Sequence, residues 1–321
     1  MRKRSMRRAI PLMMAIALGG VLYAILGNGS QMVCSEGLAA SQSVQPENRT
    51  VPAAGSFGTR RMDTSKFLSA ASIQQKQSRG PVQAEAAPEK IQALVVPHHS
   101  LAGQMAAEAI SLWAYAEDKP TAVILLGPNH ENIGPPAAVT KRDWSTAAGP
   151  ADSQKELVQS LIDQGFAEEA DDLFITEHSI GALVPWVAKY LPGVPVVPII
   201  FHYRYPSEDF AKLMEALQPW LEDGAVILGS IDFSHGLAME AAEEKDRQMR
   251  NYLLNQAWEE IARLDSTYLD APTLLSALME RDARDGRNSL CILSNTNAGR
   301  LMKNSQAVVT SYFTLAIGEL K

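Results

Sequence analysis

The chain has 321 residues, of which 46% are hydrophobic and 20% are charged, so it can bury a substantial core and is not broadly disordered. The formal net charge of −7 argues against a nucleic-acid surface, because phosphate binding needs clustered Lys and Arg side chains. Two cysteines, Cys34 and Cys291, provide neither a disulfide framework nor a cysteine-rich zinc site. Any metal must therefore rely on imidazole, carboxylate and amide ligands.

The amino terminus combines a basic cluster with an uncharged apolar run over residues 9–26. The cluster consists of Arg2, Lys3, Arg4, Arg7 and Arg8. A run of about 18 residues suits a short transmembrane helix and exceeds the usual core of a signal peptide. We therefore expect residues 1–28 to be a single-pass membrane anchor, with its amino end in the cytoplasm and the rest of the chain on the extracytoplasmic side. The alternative is a cleaved signal, which would leave a secreted protein.

Residues 29–88 are rich in Ser, Gln, Ala, Gly and Pro and show no sustained apolar period. Such a composition buries too little apolar surface to offset its ordering entropy, and it predicts a flexible, disordered linker. We expect one folded domain over residues 89–321.

Within this domain, predicted strands alternate with predicted helices. The strands are expected at residues 92–96, 122–126, 194–200, 225–229, 290–293 and 307–316. The helices are expected at residues 103–117, 152–164, 179–190, 207–221, 238–256, 257–264 and 272–284. This alternation predicts an α/β fold with a mostly parallel sheet and helices on both faces.

Three histidines stand just beyond predicted strands, and this placement is the strongest functional signal in the chain. They are His98, His130 and His235. Loops beyond the carboxyl ends of parallel strands share one crevice, so these side chains are expected to converge on a metal ion or a substrate. Asp232 lies three residues before His235 and can orient an imidazole, or it can simply cap the following turn.

Further polar residues fall near the same predicted crevice. Glu177 and His178 open a predicted helix, where they supply a carboxylate and an imidazole or merely form its first turn. Asn129 follows a tight Gly-Pro turn, and Asn295 and Asn297 follow the strand at 290–293. We expect the amides to contact substrate or to support the ligands, although they can equally satisfy turn backbone.

Four ordered motifs, Pro97-His98-His99, Gly127-Pro128-Asn129-His130, Glu177-His178-Ser179 and Asp232-Phe233-Ser234-His235, resemble the Memo-like family. This family includes the bacterial AmmeMemoRadiSam system protein B and is similar to the LigB-type, class III extradiol dioxygenases. The resemblance extends over about residues 95–313. It implies a LigB/Memo-like α/β fold with a non-haem metal site at the strand ends.

The resemblance also implies roles for individual residues. His98 and His130 take the metal-ligand positions, and His235, with Asp232, takes the acid/base position. Iron is the expected metal, with copper or zinc as alternatives. A redox role and a pathway link to radical-SAM and AMMECR-like proteins follow from the family, while the small-molecule substrate is unknown.

The chain departs from the family at one ligand position. It has Asn297-Ala298-Gly299 where the family has a Cys-Gly pair, so a site with two histidines and one anionic ligand is incomplete there. Glu177, Asp232, a water molecule or the doubled histidine His99 are candidates for the missing ligand. Three functions remain open: a dioxygenase-like metalloenzyme, a metal- or ligand-binding module without turnover, and a metal-assisted hydrolase.

Overall fold

The computed structural model describes residues 61–69, 72–73, 90–284, 286 and 289–319. Thirteen strands are present in these residues: β1 Met62–Asp63, β2 Lys90–Val96, β3 Val123–Pro128, β4 Ala137–Val139, β5 Trp144–Thr146, β6 Gly149–Ala151, β7 Glu168–Glu169, β8 Val196–Phe201, β9 Val226–Ser230, β10 Leu237–Ala238, β11 Cys291–Asn297, β12 Val308–Val309 and β13 Ser311–Glu319. The helices are α1 Gly103–Ala114, α2 Lys155–Asp163, α3 Asp171–Thr176, α4 His178–Gly181, α5 Val184–Tyr190, α6 Ser207–Glu222, α7 Met239–Leu254, α8 Trp258–Arg263, α9 Pro272–Arg284 and α10 Ala298–Met302.

An eight-stranded sheet in the order β11-β13-β2-β9-β3-β8-β4-β7 organises the fold. The four central strands, β2, β9, β3 and β8, are mutually parallel. They are short and mostly apolar, and apart from the first three residues of β2 they are buried, as expected for strands covered on both faces.

The prediction of a mostly parallel sheet holds for this centre and for the pairing of β4 with β7 at one edge, whereas the complete sheet is mixed. Strands β11 and β13 pair antiparallel with each other, β13 pairs antiparallel with β2, and β4 pairs antiparallel with β8. The residues of β11 are only half-buried at this edge, and antiparallel pairing tolerates a partly solvated edge better than parallel pairing does.

The sheet separates two apolar cores, which confirms the prediction of an α/β fold. Val95, Ile124 and Ile227 point into one core together with α2, α6, α7, α8 and α9. Their neighbours Leu94 and Leu125 point into the other core, with α1, α4 and α5. This alternation follows from the two-residue period of a strand.

Part of the segment predicted to be a linker packs against the domain. Strand β1 pairs parallel with β5, and Met62, Leu68 and Ile73 are buried in the same core as α1. The packed region therefore includes residues well before Glu89. The few apolar residues of this segment do not recur with the period of a helix or a strand. The sequence pattern therefore gave no sign that the segment packs against the domain. The remaining linker residues, 29–60 and most of 70–88, lie outside the described residues.

The predicted membrane anchor at residues 1–28 also lies outside the described residues. Among the residues that the structure describes, none of the helices combines the length and apolar character needed to cross a bilayer.

Candidate metal centre

Three histidine rings meet at the carboxyl ends of the central strands. His98 follows β2 and His130 follows β3, while β9 lies between these strands in the sheet. The ring centroids of His98 and His130 are 5.0 Å apart, and His178 at the start of α4 lies 5.1 Å and 4.1 Å from them. One ring nitrogen from each histidine lies within 4.8 Å of the others, so this group can hold a metal ion.

His98 is held in one tautomer by two buried serines. Its Nδ1 lies 2.9 Å from the hydroxyl oxygen of Ser230. That hydroxyl donates its only proton to the carbonyl oxygen of Ser179, at 2.6 Å. The Ser230 oxygen must therefore accept a hydrogen bond from the Nδ1–H group, which leaves the lone pair of His98 on Nε2.

Glu177 orients His130 so that, as in His98, Nδ1 is hydrogen-bonded and Nε2 is left free. The carboxylate accepts hydrogen bonds from His130 Nδ1 at 2.8 Å, from the His130 amide at 2.9 Å and from the Ser179 amide at 2.8 Å. Burial opposes ionisation, but these three donors outweigh it and lower the pKa of Glu177 to about 2. His130 therefore also presents Nε2 as a free lone pair, the arrangement that supports histidine ligands in metal sites.

The close approach of β3 and β9 to α4 depends on a small residue. A Cβ atom at Gly127 would meet the Ser179 hydroxyl oxygen at 2.8 Å and the Ser230 Cβ atom at 3.3 Å. Both serines belong to the hydrogen-bond chain that fixes His98, so Gly127 allows that chain to form.

The imidazoles of His98 and His178 are neutral near pH 7. Burial, followed by the neighbouring His130 and His178, holds the pKa of His98 well below its ordinary value. Burial and His130 likewise lower the pKa of His178. Neutral imidazole is the form that binds metal ions.

Asp270 belongs to this group, although the sequence analysis did not single it out. Its Oδ2 atom lies 3.3 Å from Nε2 of His98 and 3.8 Å from Nε2 of His130. Its Oδ1 atom is buried and has no hydrogen-bond partner. Burial, and then the charge of Asp232, raise the pKa of Asp270 well above its ordinary value.

The position of Asp270 explains why it was missed. It follows no strand of the main sheet, and it stands just before the Pro272 that opens α9, which is typical of a residue near a helix start. A single antiparallel bridge between Phe233 and Leu269 and a hydrogen bond from the Asp270 amide to the Asp232 carbonyl bring it to the site.

Asp232 and His235 lie beside this group. Asp232 is buried and accepts a hydrogen bond from the His98 amide at 3.1 Å, and its other carboxylate oxygen is 3.7 Å from His98 Nε2. Burial lowers the pKa of His235, and the nearby Asp232 carboxylate opposes this effect. Asp232 thus interacts with His98 and with His235, which is more than the cap of a turn would do.

His99 is paired with Tyr312 and also interacts electrostatically with Asp232. Its Nδ1 atom lies 2.6 Å from the Tyr312 hydroxyl, and the two rings stack with centroids 5.8 Å apart. Its Nδ1 is thus engaged by Tyr312.

The three predicted asparagines have structural partners. Asn129 is buried and donates to the carbonyl oxygen of Ile133 at 2.7 Å. Asn295 donates to Asp246 and to the Tyr312 carbonyl, and Asn297 caps α10 by accepting from the Arg300 amide. Asn295 and Asn297 are therefore occupied away from the histidine group, whereas Asn129 adjoins it.

A small cavity opens beside the histidines, with a volume of about 150 Å³. Its lining includes His130, His178, Asn129 and Leu173. Because this volume is below the roughly 300–1,000 Å³ of drug-sized ligand sites, it suits a ligand of a few atoms next to the imidazoles.

The residues present fit a metal ion. Two imidazole lone pairs, fixed by Ser230 and Glu177, face a buried carboxylate whose Oδ1 atom has no partner. Lone pairs that face one another in this way are stable only with a proton or a cation between them. Two histidines and a carboxylate are a typical ligand set for a divalent transition metal.

Comparisons with known proteins identify relatives of this chain. Residues 49–291 match the family described as Memo-like protein. A MEMO1 family protein of Pyrobaculum aerophilum is 31% identical over 170 residues, or 50% of this chain and 59% of that protein. A MEMO1 family protein of Aquifex aeolicus is 30% identical over 164 residues, or 49% of this chain and 59% of that protein. The chain thus spans about six tenths of the length of these relatives.

A crystal structure of an uncharacterized Escherichia coli K12 protein superimposes with a TM-score of 0.48 and 14% identity, covering 71% of this chain and 100% of that one. The family match covers about three quarters of the sequence, including all three histidines of the group. This chain belongs to the Memo-like protein family.

Proposed function

We propose that the protein binds one transition-metal ion through Nε2 of His98 and Nε2 of His130, and that this ion is the centre of its activity. The observation that supports the proposal is the fixed tautomer of both rings. Ser230 and Glu177 each accept a hydrogen bond from an Nδ1–H group, so that both Nε2 lone pairs are free. Iron is the metal we expect, because nitrogen and oxygen ligands suit iron(II), with copper and zinc as the alternatives.

The chemistry we propose is of the dioxygenase-like, redox type. A bound metal of this kind supplies Lewis acidity and a template for a small substrate. In this scheme the neutral imidazole of His235 accepts a proton from the substrate, and Asp232 beside it stabilises the imidazolium that forms.

A binding role without turnover is the second candidate. Ala298, which the sequence resemblance places at the family's Cys-Gly pair, is buried and apolar and supplies no ligand atom. A site with fewer anionic ligands supports redox cycling less well. Metal binding that persists without redox turnover of the metal would favour this second function.

The test is the metal content of the anaerobically purified full-length chain. We expect close to one ion per chain in the wild type and none in His98→Ala or His130→Ala. His202→Ala is the matched control, because His202 lies on the loop after β8 and its ring contacts the Ile133 carbonyl, at 3.4 Å. Loss of metal in the control as well, or retention in both ligand variants, would contradict the proposal.

We also propose that residues 9–26 tether the domain to a membrane, with the domain on the extracytoplasmic side. The basic cluster before the apolar run supports this orientation. Alkaline extraction of membranes should leave the full-length chain in the pellet and should release a variant that lacks residues 1–28. Release of the full-length chain would contradict the tether.

A further inference from the structure

His99 differs from its neighbour His98 in both exposure and hydrogen bonding. It is exposed, whereas His98 is buried, and its Nδ1 atom lies 2.6 Å from the hydroxyl oxygen of Tyr312. Tyr312 is fully buried, and its hydroxyl has no other hydrogen-bond partner among the described residues. The hydrogen of that hydroxyl therefore has one available acceptor, the Nδ1 atom of His99.

The buried hydroxyl fixes the tautomer of His99. Burial, and then the charge of Asp232, raise the pKa of Tyr312, so the hydroxyl keeps its proton. If Nδ1 of His99 carried a hydrogen as well, the Tyr312 proton would be buried without an acceptor, which is costly. Nδ1 therefore accepts the hydrogen bond, and the hydrogen of the His99 ring is on Nε2. His98 and His130 have the reverse arrangement, with free lone pairs on Nε2.

His99 lies at the solvent side of the histidine group. Its amide donates a hydrogen bond to the Asp232 carboxylate, which also accepts from the His98 amide. Burial is the main cause that lowers the pKa values of His178 and His235, and the His99 ring is near enough to both to lower them further. Within the part of the chain that the structure describes, Nε2 of His99 has no hydrogen-bond partner. The Nε2–H group is thus an unused donor beside the site.

We propose that His99 is a substrate-binding residue that donates a hydrogen bond from Nε2 to a carboxylate group of a small substrate. This inference rests on the metal ion proposed for His98 and His130, because one carboxylate oxygen binds that ion while the other accepts from His99. A hydrogen bond to an ionised acceptor is about twice as strong as one to a neutral acceptor. A divalent ion also attracts an anion, so a carboxylate gains from both partners.

Two other roles for His99 are separable from this one. A metal ligand needs a lone pair on Nε2, yet the Tyr312 hydroxyl places the ring hydrogen there. A purely structural partner of Tyr312 needs only Nδ1, so its function would survive the loss of Nε2. The two ring nitrogens must therefore be tested one at a time.

Two substitutions at position 99 make this separation. His99→Asn keeps an oxygen near the position of Nδ1, where it can accept from Tyr312, and has no group at Nε2. His99→Gln extends an NH₂ group towards the position of Nε2 and so keeps a donor there. The pair therefore differs in the donor that the proposal assigns to the substrate.

The experiment is a titration of the cobalt(II)-loaded full-length chain with acetate, followed by visible absorption. We expect His99→Asn to weaken acetate binding by about 10-fold, the low end for a hydrogen bond to a charged group, and His99→Gln to restore it. Imidazole is the control probe. It binds a metal ion through one nitrogen and carries a donor on the other, so all three proteins should bind it equally.

Long-range proton–nitrogen NMR spectra of the metal-free chain measure the tautomer directly. The ring of His99, identified by its absence from His99→Asn, should have the Nε2–H form. An Nδ1–H ring, equal acetate binding by wild type and folded His99→Asn, or loss of cobalt from His99→Asn would overturn the proposed role of His99. Absence of cobalt binding in the wild type would instead overturn the metal site, and this inference with it.

Discussion

Replacing Glu177 by Gln isolates the group that orients His130. The carboxylate accepts three hydrogen bonds, two from His130 and one from the Ser179 amide, and its side chain is only 5% exposed. A glutamine has one carbonyl oxygen, so its NH₂ group must face at least one of these donors. The substitution is nearly isosteric, which limits the change to the loss of charge and of acceptors.

The magnitude follows from the pKa of Glu177, which falls from an ordinary 4.5 to about 2. At about 1.4 kcal/mol per pKa unit, the ionised form contributes about 3 kcal/mol to the free energy of unfolding. Because the folded-state pKa is lowered, this contribution is complete above about pH 5 and is lost as the pH falls towards 2. The stability difference between wild type and Glu177→Gln should therefore be about 3 kcal/mol at neutral pH and about half of that or less near pH 3.

The assay is urea unfolding of the metal-free chain at both pH values, with Glu131→Gln as a control for the loss of a nearby exposed carboxylate. Metal affinity at neutral pH should also fall by about 10–100-fold in Glu177→Gln, because the ring of His130 is no longer held. Equal stability of wild type and Glu177→Gln at neutral pH, or a difference that does not change with pH, would refute this reasoning.

Three further substitutions have effects that the structure predicts. Ser230→Ala leaves Nδ1 of buried His98 without a partner. Calorimetry should show about 10–100-fold weaker metal binding, and thermal unfolding should show a loss of about 1–3 kcal/mol in the free energy of unfolding. Gly127→Ala introduces a methyl group 2.8 Å from the Ser179 hydroxyl; urea unfolding should show a loss of about 1–3 kcal/mol, and unchanged stability would contradict the tight packing there. Met62→Ala should lower the free energy of unfolding by about 2–5 kcal/mol in the same assay, because Met62 is only 5% exposed. An unchanged free energy of unfolding would indicate that Met62 belongs to an unpacked linker.

The central fold and much of the histidine group were predictable from local patterns. Short apolar runs marked β2, β3, β8 and β9, and parallel strands bring their following loops together. His98 and His130 meet for this reason. Glu177 and His178 join them because α4 begins at this edge, and the Glu177 side chain serves both as helix cap and as partner of His130.

Other features depended on long-range contacts that no local pattern reveals. Asp270 reaches the site through a single bridge between Phe233 and Leu269, and its own segment is typical of a helix start. Strand β1 has two residues and gains its stability from burial against the domain. The antiparallel edge of the sheet depends on the pairing of β13 with β2, and this pairing joins residues more than two hundred positions apart in the sequence.

Anomalous diffraction from crystals of the iron- or cobalt-loaded protein tests the central claim most directly. One strong peak is expected about 2.1 Å from Nε2 of His98 and from Nε2 of His130. A peak bound to other residues, or fully loaded crystals with no peak between these two rings, would contradict it.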